Sequence, residues 1–166
     1  MSRRHVRTKA VSETPATWDD AYFLDANILM YAAGAEHPLR EPCRQALRRA
    51  VASRTPLVTD AEVLQEILHR YFAIRRPDAA TAVYRSAVDL CDEVTPITEK
   101  DTARALELLR IHAELTPRDA IHVATMEAAG VSRLLSADRD FDVIPSIQRV
   151  DPTEFAPGAS GPNPQD

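Results

Sequence analysis

Residues 22–28 read YFLDANI, and the apolar run continues as Leu29, Met30 and Tyr31. An aromatic and aliphatic stretch reads as a buried strand. It is interrupted by one carboxylate, Asp25, with an amide two residues later at Asn27. A lone acid at the end of a first buried strand is a helix cap, a core accident or part of a site. The rest of the chain has to decide which.

Four more short runs share that character: PLVT at 56–59, EVTPI at 93–97, RLLS at 133–136 and IQRV at 147–150. Each is apolar or β-branched and bounded by polar or turn residues, as buried parallel strands are. Helical periods fill the gaps. Residues 41–53 place Pro42 in a first turn. Residues 60–75 open on Asp60 as N-cap and put Val63, Leu64, Ile67, Leu68 and Tyr71 on one face. Pro77 and Asp78 start a helix running to about Leu90. Thr98 caps another, and Thr116 caps a last one with Pro117 at its first position and Gly130 near its C-terminal cap. Strands alternating with helices predict a three-layer α/β/α sandwich around a central, mainly parallel sheet. In such folds ligands bind beyond the carboxyl ends of the strands, where the strand order switches direction.

The chain has 166 residues, one domain's worth, 45% hydrophobic and 27% charged. That is enough to bury a core without disulfide or metal staples. Residues 1–20 are polar without a sustained period and read as an N-terminal extension of the kind that can stay disordered. Residues 21–155 form the expected domain, and 156–166, rich in Pro, Gly, Ser and Asn, a flexible tail. Cys43 and Cys91 lie far apart in no metal or redox spacing and are expected as reduced thiols. No apolar run approaches the roughly 18 residues that span a bilayer, and the basic N-terminus lacks a signal peptide's apolar segment. A cytoplasmic protein without a membrane partner is the expectation. A net charge of −5 argues against a uniformly basic nucleic-acid surface but allows a cationic rim around an acidic pocket.

The acids fall where the switch-point rule makes them informative. Asp25 ends the first strand, and Glu66 lies about two turns into the helix after the second. Asp119 sits in the first turn of the 117–130 helix, and Asp138 follows RLLS directly in SADRDFD, with Asp142 beyond. Singly, Asp119 suits a helix N-terminus, Asp138 a turn or cap, and Glu66 an exposed pair with Arg70. Jointly they suggest more. Carboxylates converging at one sheet edge raise each other's pKa unless cations neutralise them. Oxygen donors suit the hard ions Mg²⁺ or Mn²⁺, and such ions stabilise the attacking and leaving oxygens of a phosphodiester displacement.

The stretches FLDANILMY, VTDAEVLQEILHRYF, TPRDAIHVATM and LLSADRDFD, in that order, resemble the PIN domain, more narrowly the VapC-type toxins of bacterial toxin–antitoxin pairs. The resemblance covers about residues 21–155. It implies an endoribonuclease whose catalytic and metal-binding acids match Asp25, Glu66, Asp119 and Asp138. Glu62 is a rival to Glu66, one turn too early. Asn27 is the polar companion of the first acid, Ser136 the small hydroxyl residue before the fourth, and Asp142 an assisting acid. The resemblance also implies RNA as substrate, Mg²⁺ or Mn²⁺ as cofactor, a DNA-binding VapB-like antitoxin as partner, and a homodimer. Arg139 and Arg70 are candidates for RNA contact. Arg44, Arg48 and Arg49, with Arg75 and Arg76, read as solvated helix faces.

Rival readings are a PIN-like module that binds RNA or a partner without cutting, and a phosphatase of the haloacid dehalogenase kind. The phosphatase needs a second acid where Asn27 stands and a downstream lysine, whereas the chain has only Lys9 and Lys100. His69 and His122 stand three residues after Glu66 and Asp119, a spacing that also builds di-iron sites in helix bundles. The strand signals contradict a bundle, so both are expected as packed or surface histidines.

Overall fold

The computed structural model describes residues 18–157. Residues 1–17 of the expected 1–20 extension and most of the expected 156–166 tail lie outside the described residues. In order the chain forms β1 (Tyr22–Leu24), α1 (Ala26–Ala33), α2 (Arg40–Ser53), β2 (Leu57–Asp60), α3 (Ala61–Ala73), α4 (Pro77–Leu90), β3 (Glu93–Thr95), α5 (Glu99–Ile111), α6 (Pro117–Ala129), β4 (Arg133–Leu135), a 3-10 turn (Arg139–Val143) and β5 (Gln148–Val150). All five expected strands are present, four of them trimmed by a residue or two and β2 shifted by one to end on Asp60.

The helix at 26–33 departs from the sequence reading, which carries the apolar run of YFLDANILMY on past Asp25. The strand gives way after Leu24 to a helix that Asp25 caps, its side chain accepting from Asn27 N. Leu68, expected on the buried face of α3, is 40% exposed, while Val63, Leu64, Ile67 and Tyr71 are buried. At 100° per residue Leu68 falls at the edge of the apolar stripe.

The strands form one parallel sheet in the order β3-β2-β1-β4-β5. From β1 the chain steps through β2 to β3, then returns across the sheet to β4 and β5. Right-handed crossovers therefore put α1–α4 on one face and α5 and α6 on the other. Contacts within these groups agree: α1 packs on α2, α3 and α4, and α5 packs on α6. The central strands read as continuous apolar runs because both faces are covered. Phe23, Leu24, Leu57, Val58, Leu134 and Leu135 are buried with Ile28, Ile67, Met126, Phe141 and Phe155 from the covering layers.

The strand order reverses between β1 and β4. Their carboxyl ends release Asp25 and Ser136 side by side, joined by Asp25 N donating to Leu135 O at 3.2 Å. β2 ends next door on Asp60. α6 starts with Thr116 and Asp119 in a reciprocal capping box and ends at Gly130, whose φ of 71° is left-handed backbone that glycine adopts without strain. Cys43 and Cys91 are both buried. No helix among the described residues is long and apolar enough to cross a membrane.

Candidate metal centre

At the crevice between β1 and β4, Asp25 is buried and embedded in hydrogen bonds. Its Oδ2 accepts from Asn27 Nδ2 at 2.6 Å and from Ser136 Oγ at 2.5 Å. Asn27 Nδ2 also donates to Ser136 Oγ at 3.0 Å, and Asn27 Oδ1 accepts from Ala137 N at 3.2 Å. Ser136 Oγ accepts from Asp138 N at 3.0 Å. One amide and one hydroxyl thus tie the end of β1 to the loop after β4. They fix the Asp25 rotamer from both sides, the support that a working carboxylate requires.

Glu66 reaches the same edge from α3. One carboxylate oxygen each from Asp25 and Glu66 and one ring nitrogen of His122 lie within 4.8 Å of one another. Glu66, not Glu62, is the α3 acid in this group. Arg118, at the start of α6, places Nη1 3.3 Å from Glu66 Oε1. The group is therefore compensated by an arginine as well as by the histidine.

His122 is 2% exposed and Asp60 is fully buried. Asp60 Oδ1 caps α3 by accepting from Val63 N at 2.9 Å. Its Oδ2 meets His122 Nδ1 at 2.8 Å and Thr125 Oγ1 at 2.8 Å. Burial pushes Asp25 up from 3.8 to about 6, against the lowering pull of His122 and of the Ser136 hydrogen bond. Burial alone would push His122 down. The hydrogen bond and charge of Asp60, joined by the charges of Asp25 and Glu66, raise it to about 9 instead. Asp60 is likewise pushed up by burial, but His122, Val63 N and Thr125 more than offset this and hold it below its ordinary value.

The remaining expected residues fall around this group. Asp119 lies one turn before His122 on α6, and residues three apart share a helix face. Its Oδ2 takes the capping bonds from Thr116 N and Oγ1 at 2.9 and 2.6 Å. Asp138 is linked to Asp25 through Ser136 Oγ, and its Oδ1 caps the 3-10 turn by accepting from Asp140 N. Neither acid belongs to the close group. Asp142 is taken by Arg149, whose Nε and Nη2 donate to it at 2.6 and 3.1 Å while Nη1 donates to Ser136 O. It thereby braces the loop after β4. Arg139 is exposed beside Asp138, and Arg70 is exposed on the rim of a groove of about 620 Å³ between α1, α3 and α4, which Asn27, Met30, Tyr31 and Tyr71 also line.

Arg44 Nε donates to Ala32 O, Arg49 Nη1 donates to Phe155 O, and Arg48 pairs with Glu41. His69 is exposed on α3, as one of its two expected alternatives, while His122 takes the other and is packed. Sequence reasoning missed the pairing of Asp60 with His122. The available signals were an N-cap acid at the end of a buried strand and a histidine on the apolar face of a late helix, which no local rule joins.

Two carboxylates and an imidazole within mutual ligand range are a donor set that fits a divalent cation. The fold and this crevice define the protein as an α/β sandwich with an acidic centre at its switch point. The chain belongs to the PIN domain family, whose sequence pattern matches residues 22–146. It is 42% identical over 127 residues to "Ribonuclease VapC13" of Mycobacterium tuberculosis, covering 76% of this chain and 97% of that protein. In structure it is similar to Mycobacterium tuberculosis VapC20, described as a sarcin-ricin loop cleaving toxin, with a TM-score of 0.62 at 23% identity over 75% of this chain and 95% of the other. It is also similar to VapBC2 from Rickettsia felis bound to a promoter DNA fragment, with a TM-score of 0.63 at 17% identity over 79% and 98% of the two chains.

Proposed function

We propose that this chain is a VapC-type toxin, an endoribonuclease that hydrolyses RNA phosphodiester bonds with the aid of Mg²⁺ or Mn²⁺. The observation that carries the reading is the meeting of Asp25 and Glu66 at the switch point, in a chain 42% identical to a named ribonuclease over 97% of that ribonuclease's length. Asp25, Glu66, Asp119 and Asp138 would hold the ion. Once bound, it would offset the charge developing on the attacking and leaving oxygens.

The protein's own groups supply the rest. Asn27 and Ser136 keep Asp25 in one rotamer. Asp119 and Asp138 flank the centre, and to bind an ion they would give up the bonds from Thr116 and from Asp140 N. Arg118 can leave Glu66 for a substrate phosphate once an ion takes over the carboxylate's charge. Arg139 and Arg70 lie on the exposed rims where an RNA backbone would run. A cognate VapB-like antitoxin is the inferred partner, and the groove beside Asn27 is the surface it would cover. The phosphatase reading loses ground because Asn27 is spent on orienting Asp25 and Ser136.

The test is cleavage of structured RNA by purified protein with Mg²⁺ or Mn²⁺, in EDTA, and in Asp25→Asn and Asp119→Asn variants. Cleavage should disappear in EDTA, and both cleavage and growth toxicity should disappear in the two variants, while circular dichroism stays unchanged. Undiminished cleavage by either variant would overturn the assignment.

A further inference from the structure

The centre contains one donor that an all-carboxylate site does not need. Asp60 is completely buried, and its three partners, Val63 N, Thr125 Oγ1 and His122 Nδ1, all lie within 2.9 Å. α3's first turn and two side chains of α6 thus clamp it. Thr125 Oγ1 also donates to His122 O at 2.9 Å, and the imidazole packs against Phe23 with centroids 5.5 Å apart. The ring has no freedom to turn. With Nδ1 on Asp60, Nε2 is the nitrogen left over, and among the described residues it has no hydrogen-bond partner.

Packing alone does not require this arrangement. A buried ion pair gains little over well-packed apolar side chains of similar volume. Orientation does account for it. Histidines that ligate metals almost always give their second ring N–H to a carboxylate, which fixes tautomer and direction. Asp60–His122 has that layout, and it ends beside the oxygens of Asp25 and Glu66.

We propose that His122 Nε2 is a direct ligand of the divalent ion, oriented by Asp60, so that the centre is a mixed nitrogen–oxygen site rather than an all-oxygen one. The proposal rests on the metal-dependent reading above and specifies its ligand set. Ion binding would release the Nε2 proton to solvent, while Nδ1 keeps its proton and donates it to the Asp60 carboxylate. A nitrogen donor ranks Mn²⁺ and Co²⁺ above Mg²⁺ more steeply than oxygens alone do.

The decisive measurement is pulsed electron paramagnetic resonance of Mn²⁺ bound to the full-length chain, prepared with ¹⁴N- and then with ¹⁵N-histidine. One directly bound imidazole nitrogen should appear and change with the isotope. It should vanish in His122→Gln. In Asp60→Asn, where asparagine still caps α3, Mn²⁺ affinity should fall about 10- to 100-fold. Should His122→Gln fail to fold, the labelled wild type together with Asp60→Asn decides the matter. Stoichiometric Mn²⁺ that Asp25→Asn abolishes, with no nitrogen coupling, would overturn the histidine ligand and leave the metal-dependent reading standing. A coupling that persists in His122→Gln would also overturn it. Absence of Mn²⁺ binding at millimolar concentration would overturn both.

Discussion

Replacing Asp25 with Asn should make the ion-free protein more stable, although Asp25 stands at the centre of the proposed site. Its carboxyl is raised from 3.8 to about 6, chiefly by burial. At about 1.4 kcal/mol per pKa unit, keeping it ionised at pH 7 costs the fold about 3 kcal/mol. Asparagine removes that charge and keeps most of the bonds, because Asn27 Nδ2 and Ser136 Oγ both donate to the same oxygen, Oδ2. The other oxygen holds only a long 3.5 Å contact from Asn27 N. Loss of that cap and of an anion near His122 reduces the expected gain to about 2 kcal/mol. For a chain of this size that is a rise of about 4–8 °C in Tm.

The pH dependence identifies the cause. Between pH 3.8 and about 6 the native protein holds the Asp25 proton and the unfolded chain has lost it, so wild-type stability falls as pH rises through this window. The variant lacks that slope, so its advantage should be small at pH 4, grow towards pH 6 and then level off. Urea denaturation in EDTA at pH 4, 5, 6 and 7 measures it. Adding Mn²⁺ should reverse the order at pH 7, because only the wild type gains from binding. A variant less stable than wild type in EDTA at pH 7, or a difference independent of pH, would refute the reasoning.

His122, raised to about 9 by Asp60, stabilises the ion-free fold below about pH 6.5. That contribution, about 3 kcal/mol, should be lost as pH rises through 9, and Asp60→Asn should flatten the decline seen by denaturant titration. Ser136→Ala leaves Asp25 one donor short and Asp138 N without its acceptor. It should cost about 2 kcal/mol, and thermal unfolding within 2 °C of wild type would contradict this. Arg149→Gln breaks the brace between Asp142 and Ser136 O. It should cost about 1 kcal/mol and speed hydrogen exchange along β4 and β5, while α3 and α4 stay protected. In the cleavage assay, Glu66→Gln should lose metal-dependent activity whereas Glu62→Gln should keep it, because only Glu66 reaches the group.

Local signals carried the architecture a long way. Apolar runs bounded by turns located all five strands, since a parallel sheet covered on both faces needs uninterrupted apolar segments. Asp60, Thr98, Thr116 and Gly130 punctuate the helices as their capping chemistry requires. The same local logic missed α1, because ANILMY reads equally well as strand or helix until the N-cap at Asp25 is seen. It also could not weigh Asp142, whose neighbour across seven residues, Arg149, arrives only when β5 pairs with β4.

What the sequence determined by itself is therefore the kind of fold, the edge of the sheet where chemistry belongs, and the acids available there. The pattern of strand, helix and cap is written in neighbouring residues, and the switch-point rule turns that pattern into a location. What only the tertiary structure decided is which groups meet. Asn27 binds Ser136 across 109 positions and Asp60 binds His122 across 62. Those distances close only when β1 lies between β2 and β4 and α6 brings His122 against the end of β2. Burial then sets the charges. Asp25 is pushed up because the crevice excludes water, and His122 is raised because the hydrogen bond and charge of Asp60, with the charges of Asp25 and Glu66, outweigh its burial.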